Sequence, residues 1–106
     1  MSMNNRVCRT FTLTNADQFY EVYTDLLRAI NTEWGSASGI IIQAASTNSD
    51  TVFLHDGSKV IASPGCELFA TFMYSEQSTL NNIPLSGLYL RSPSASQKVQ
   101  ISARRS

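Results

Sequence analysis

From residue 39 onward the chain repeats one pattern: a short apolar burst, then a cluster of turn-forming residues, at intervals of roughly 8–12 residues. The stretch "SASGIIIQAASTNSDTVFLHDGSKVIASPGCELF", residues 36–69, holds the pattern at its densest. Each burst has the length of a strand and is too short for a helix of several turns. Gly, Pro, Asn and Asp between the bursts supply the tight turns that join neighbouring strands. The rhythm predicts a mainly β chain, an antiparallel β-sandwich of Greek-key or jelly-roll-like type. A parallel sheet would need strands alternating with crossover helices, and that alternation is missing.

The individual strands follow from alternation. In residues 6–13 (RVCRTFTL), Val7, Arg9, Phe11 and Leu13 fall on one face and Cys8, Thr10 and Thr12 on the other. Residues 39–45 (GIIIQAA) are nearly continuous and β-branched, as in a central strand. Residues 51–55 and 59–62 flank Asp56-Gly57, a hairpin signal, and Pro64-Gly65 turns the chain again. Residues 66–74 (CELFATFMY) alternate as one strand, and 75–84 read as a loop. Residues 86–91 and 98–103 form the last two strands around the polar turn 92–97.

One segment breaks this rhythm. Residues 15–34 contain neither Gly nor Pro, and Phe19, Val22, Tyr23, Leu26, Leu27, Ile30 and Trp34 recur in steps of three and four. Thr14 or Asn15 is a suitable cap and Gly35 a suitable stop. The spacing predicts one N-terminal amphipathic helix over 15–34, packed on the sheet, with Trp34 placed to reach a neighbouring subunit.

A chain of 106 residues with 42% apolar residues supports a single domain, residues 1–106, around one modest core. Charged residues make up only 15%, against about 25% in typical soluble domains, and the formal net charge is zero. Near-zero charge favours association, so a subunit of something larger is expected. No basic stripe marks a nucleic-acid surface; Arg104-Arg105 reads as a solvated tail, and no specific nucleic acid partner is expected. Apolar runs such as Ile40–Ile42 stop far short of the ~20 residues of a membrane span, and the first ten residues lack a signal-peptide run. Synthesis in a cytoplasm and no membrane partner are the expectation.

Reactive motifs are missing from the sequence. His55 is the single histidine, and Asp56 beside it points to the opposite strand face, so the two form no dyad. One histidine makes a poor metal site and cannot build the several-histidine centre of a cupin-type enzyme. His55 reads as a polar residue entering the Asp56-Gly57 turn. "GSASG", residues 35–39, places Ala37 where a nucleophile elbow needs serine. The eight carboxylates are scattered and the five glycines isolated, leaving no glycosidase pair and no phosphate loop. Cys8 and Cys66 read as small buried hydrophobes, with a bridge between them as an open alternative. A non-enzymatic protein with no cofactor and no metal is expected.

Three segments, TVFLHDGS (51–58), PGCEL (64–68) and LYLRSPSASQKV (88–99), carry a resemblance. They resemble the small β-sandwich accessory proteins of tailed bacteriophage particles, with their "VYLGDGS"-like segment, Pro-Gly-Glu turn and late "LYLRSASAGQKV"-like strand pair. A helix-free N-terminus is common in those proteins, so residues 15–34 depart from the pattern. The resemblance implies a virion structural protein: a capsid decoration (cement) subunit, or a neck or tail accessory. Its implied partners are other virion proteins, capsid or tail subunits, and copies of itself in a homo-oligomer. Turn tips and exposed aromatics are the expected contacts: Trp34, Asn48, Ser58, Tyr89 and Ser94. The terminal strands 6–13 and 98–103 carry little charge beyond Arg6, Arg9 and Lys98, so one of them is expected against a neighbour or under the helix. The alternative is a carbohydrate- or ligand-binding β-sandwich module using Trp34, Tyr74 and Tyr89 as stacking platforms.

Overall fold

The structure, a computed structural model, describes residues 6–57 and 66–106. The expected strand over 59–62, the Pro64-Gly65 turn and Ser58 lie outside the described residues. The strands are β1 (Arg6–Leu13), β2 (Tyr20–Glu21), β3 (Ser36–Ala37), β4 (Gly39–Ala44), β5 (Val52–Asp56), β6 (Cys66–Leu68), β7 (Met73–Gln77), β8 (Ile83–Pro84), β9 (Leu88–Arg91) and β10 (Gln97–Arg104). They pair as two antiparallel four-stranded sheets, ordered β1-β10-β4-β7 and β2-β9-β5-β6, plus the two-stranded ladder β3-β8.

Alternation decides which side chains meet. In the first sheet Val7 and Leu13 of β1, Ile40, Ile42 and Ala44 of β4, and Val99, Ile101 and Ala103 of β10 are buried. In the second sheet Val52, Leu54, Leu68, Leu88 and Leu90 are buried. All of these belong to one apolar cluster, so the two sheets share a single core. Full burial of a Leu or Ile side chain stabilises by roughly 1.5–3 kcal/mol relative to exposure, which makes this cluster the main source of stability. The expected strands at 6–13, 39–45, 51–55, 86–91 and 98–103 are all present within a residue or two. β9 starts at Leu88 because Gly87 sits at φ +84°, a left-handed conformation that ends any strand before it.

Residues 15–34 do not form one helix. Asp17 adopts φ 58°, Tyr20–Glu21 pairs with β9, Val22–Leu27 forms a single π-helical turn, and Thr32–Gly35 a 3-10 turn. The Arg28 N–H reaches back five residues to the Tyr23 carbonyl at 2.7 Å, which defines the widened turn. Local caps set these boundaries. The Glu21 carboxylate accepts from Thr24 N while Asp25 accepts from Glu21 N, so helical structure begins at 22. Asn31 is extended (φ −162°) and its side chain accepts from Glu33 N, so the helix restarts there in a new direction. The apolar stripe nevertheless faces inward: Val22, Leu26, Leu27 and Trp34 are buried, and Tyr23 and Ile30 pack against the core.

Residues 66–74 also differ from expectation, because they divide between the two sheets. β6 pairs with β5, and β7 pairs with β4. Between them Thr71 and Phe72 both stand opposite Ala44: Thr71 N donates to the Ala44 carbonyl at 2.9 Å, and Ala44 N to the Phe72 carbonyl at 3.0 Å. This is a bulge, with Thr71 at φ 71° where glycine is the usual occupant. The bulge lets the chain leave one sheet and join the other.

Two smaller expectations change. Cys8 is exposed on the outer face of the first sheet, and Cys66 is half-buried against the core; both are free thiols. Arg105 is no solvated tail residue, since its guanidinium donates to the carbonyls of Glu33 (2.9 Å) and Ser36 (2.5 Å).

Candidate interaction surface

The outer face of the second sheet carries a polar and aromatic group whose members come from strand register. Phe53 stands opposite Arg91 and His55 opposite Tyr89, so these four side chains share the face turned away from Leu54 and Leu90. The segment before β2 crosses over them. Asp17 N donates to the Ser92 carbonyl at 2.7 Å, and its carboxylate accepts from Arg91 Nη1 at 2.9 Å. The Phe19 ring meets His55 edge-on at 5.0 Å and Tyr89 at 6.3 Å. Arg91 also lies over the Phe53 ring, 4.7 Å from its centroid, and its Nε donates to His55 Nε2 at 3.5 Å. His55 is 1% exposed as a result, which corrects its reading as a turn residue: Phe19 and Arg91 enclose it. The i, i+2 spacing of Phe53 with His55, and of Tyr89 with Arg91, was the available signal. This group clamps the 14–19 segment onto the sheet.

A second group ties two turns together. Asn48 pairs with Lys98 as a strand residue would, donating Nδ2 to its carbonyl and accepting its N–H, both at 2.7 Å. The buried Gln97 amide accepts from Ser49 N and Asp50 N, and donates to Ser49 Oγ and the Ala95 carbonyl. Ser94 Oγ donates to Asp50 at 2.6 Å. Asn48 and Ser94, expected as partner contacts, thus have these polar groups engaged within the chain.

These clamps predict an acid-sensitive fold. The Ser94 hydroxyl first, then the Thr51 N–H, holds the Asp50 carboxyl below its ordinary value of 3.8. The Thr24 hydroxyl does the same for Glu21, ordinarily 4.5, against the opposing effect of burial. A carboxyl whose pKa is depressed by folding adds stability that is complete above the unfolded value and is lost as pH falls through the folded one. Denaturation midpoints should therefore hold from neutral pH down to about 5 and fall below about 4. The pair Asp50→Asn and Glu21→Gln should flatten that fall; an unchanged acid limb would place its origin in other carboxylates.

The third feature is apolar and open. Among the described residues the exposed large hydrophobic side chains are Ile41, Phe69, Phe72, Met73 and Leu80, between 37% and 64% exposed. All five lie on or beside β7, an edge strand of the first sheet. Met73 is within β7, Ile41 faces Ser75 from β4, Phe69 and Phe72 precede the strand, and Leu80 follows it. Phe69 and Phe72 meet edge to face at 5.8 Å. The backbone phase of β7 follows from its neighbours' bonds. Ala44 N donates to Phe72 O and Ser78 N to Ser38 O, so Phe72, Tyr74, Glu76 and Ser78 point their backbone groups toward β4. Met73, Ser75 and Gln77 point theirs outward. The Tyr74 hydroxyl donates to Glu76 on the same strand face; burial first, then this bond, pushes the phenol above its ordinary value and keeps it a donor.

The expected contact residues do not converge. Trp34 is 1% exposed in the core, which corrects its placement as an exposed anchor: the 3-10 turn buries the indole. Tyr89 is half-buried beside Phe19, and Ser58 is outside the described residues. An open cleft of about 390 Å³ lies on the first sheet among Arg6, Cys8, Ile41, Gln77 and Arg104. Its one thiol, Cys8, lies on a different sheet from His55, so no thiol–imidazole pair forms there. Among the described residues no three His, Cys, Asp or Glu side chains gather as a metal group, and no helix is long and apolar enough to cross a membrane. The chain matches no family, no curated protein and no solved structure. Function therefore rests on the chemistry of the surface.

Proposed function

We propose that this chain is a non-enzymatic assembly subunit, a virion structural protein of the capsid decoration or neck and tail accessory kind. In this reading its two sheets pack face to face as an antiparallel sandwich, and the β7 edge docks other subunits of the particle. One observation carries it: among the described residues the exposed large apolar side chains gather on or beside one edge strand instead of scattering. An edge strand with open backbone groups and apolar flanks is a template for association. The zero net charge and sparse surface charge support the same conclusion. The ligand-binding alternative lacks its platform, since Trp34 is in the core, Tyr74 on the first sheet and Tyr89 on the second.

Phe72→Ser tests the reading. The ring is 57% exposed, so the substitution should move stability by about 0.5 kcal/mol or less. Burial of such a ring against a partner is worth about 1.5–3 kcal/mol, and its loss should weaken co-sedimentation with purified particles at least about tenfold. Absence of the protein from particles, with no co-sedimentation of the wild type, would overturn the proposal.

A further inference from the structure

We propose that the partner at β7 is a second copy of this chain, paired strand to strand in antiparallel register with the two-fold axis at Ser75. The inference rests on the chain being an assembly subunit and adds the occupant and the register of one interface.

Backbone phase is the first ground. Met73, Ser75 and Gln77 point their N–H and C=O groups outward, at alternate positions symmetric about Ser75. An antiparallel two-fold there sets Ser75 against Ser75 of the second copy, and Met73 against its Gln77 on either side. Each is a doubly hydrogen-bonded pair, so every outward group of β7 finds a partner. Any register shifted by one residue leaves them facing inward-pointing groups.

Charge complementarity is the second ground. Glu76 is the one charged residue of β7. In this register it stands opposite Tyr74 of the second copy, never opposite the other Glu76. The phenol that donates to Glu76 within its own strand meets the same carboxylate on its neighbour. No like charges face each other along the seam.

The apolar ends complete the match. Phe69 and Phe72 flank one end of β7 and Leu80 the other, so the two-fold brings the aromatic pair of each copy to the Leu80 end of the other. Other edges are less suited. β1 carries Arg6, and its Arg9, at an inward-facing register position, remains exposed; an inward charge on an edge strand opposes pairing. β2 and β6 have two and three residues. β10, a terminal strand expected at an interface, is paired on both sides, by β1 and β4.

The test uses the full chain in sedimentation equilibrium over about a hundredfold concentration range. The wild type should form a reversible dimer. Ser75→Lys and Ser75→Glu each place like charges across the axis, and each should raise the dissociation constant at least about tenfold with an unchanged unfolding midpoint. An equimolar mixture of the two variants should restore a dimer, because Lys then faces Glu. A wild type monomeric throughout, a Ser75→Lys variant that still dimerises, or a mixture that stays monomeric would overturn self-pairing. Particle co-sedimentation is read separately: its loss with an intact dimer removes the assembly reading and leaves the pairing, and its retention in a monomeric wild type does the reverse.

Discussion

Replacing Trp34 with alanine should destabilise the fold by about 3–5 kcal/mol, a large share of the roughly 5–15 kcal/mol that holds a domain together. The indole is 1% exposed and among the largest fully buried side chains of the apolar cluster. It sits in the 3-10 turn Thr32–Gly35, where Trp34 N donates to the Asn31 carbonyl at 3.2 Å and Arg105 closes the turn from outside. The turn that carries the ring is thus held by its own backbone bond and by Arg105, so its collapse around a missing ring is limited. Denaturant unfolding at neutral pH measures the effect. A loss below about 0.5 kcal/mol would mean that Trp34 serves a partner and not the core.

Arg91→Ala should cost about 2–4 kcal/mol, measured in the same way, and should release the 14–19 segment. The guanidinium is 3% exposed and joins three groups: Asp17, His55 and the Phe53 ring. Hydrogen bonds involving a buried charge contribute about 1.5–3 kcal/mol and the cation–π contact about 0.5–2 kcal/mol. The Asp17 pair adds little, because that carboxylate is 58% exposed and solvent screens it. Asp17→Asn separates the two contributions. Asparagine tolerates the φ of 58° at this position, so only the charge is removed, and the expected cost is about 0.2–1 kcal/mol. Hydrogen exchange should show the Asp17 amide, bonded to the Ser92 carbonyl, opening in Arg91→Ala. A protected Asp17 amide in that variant would mean that Phe19 packing alone holds the segment down.

Strand content was legible in the sequence because period-two burial is a local property. Val7 and Leu13, or Val99, Ile101 and Ala103, report their own buried face whatever sheet they join. The stripe from Phe19 to Trp34 likewise named residues that are buried or half-buried. Its period did not establish a continuous helix, since a π turn and a 3-10 turn satisfy the same inward spacing. Glu21 and Asn31 act as caps inside the segment, and pairing of Tyr20–Glu21 with β9 removes its first third from any helix. Residues 66–74 alternate as one strand, yet the Thr71 bulge sends β6 and β7 to different sheets. The i, i+2 spacings at Phe53–His55 and Tyr89–Arg91 put each pair on one strand face, but neither the enclosure of His55 nor the open edge at β7 is fixed by local sequence. Both depend on which strands lie side by side: Phe53, His55, Tyr89 and Arg91 share a face only through β5–β9 register. β7 is an edge because β4 pairs with it on one side and no described strand pairs with the other. Local alternation and turn chemistry therefore determined the strands and most of the core. Strand order, set by long-range pairing, decided which described surface was left open.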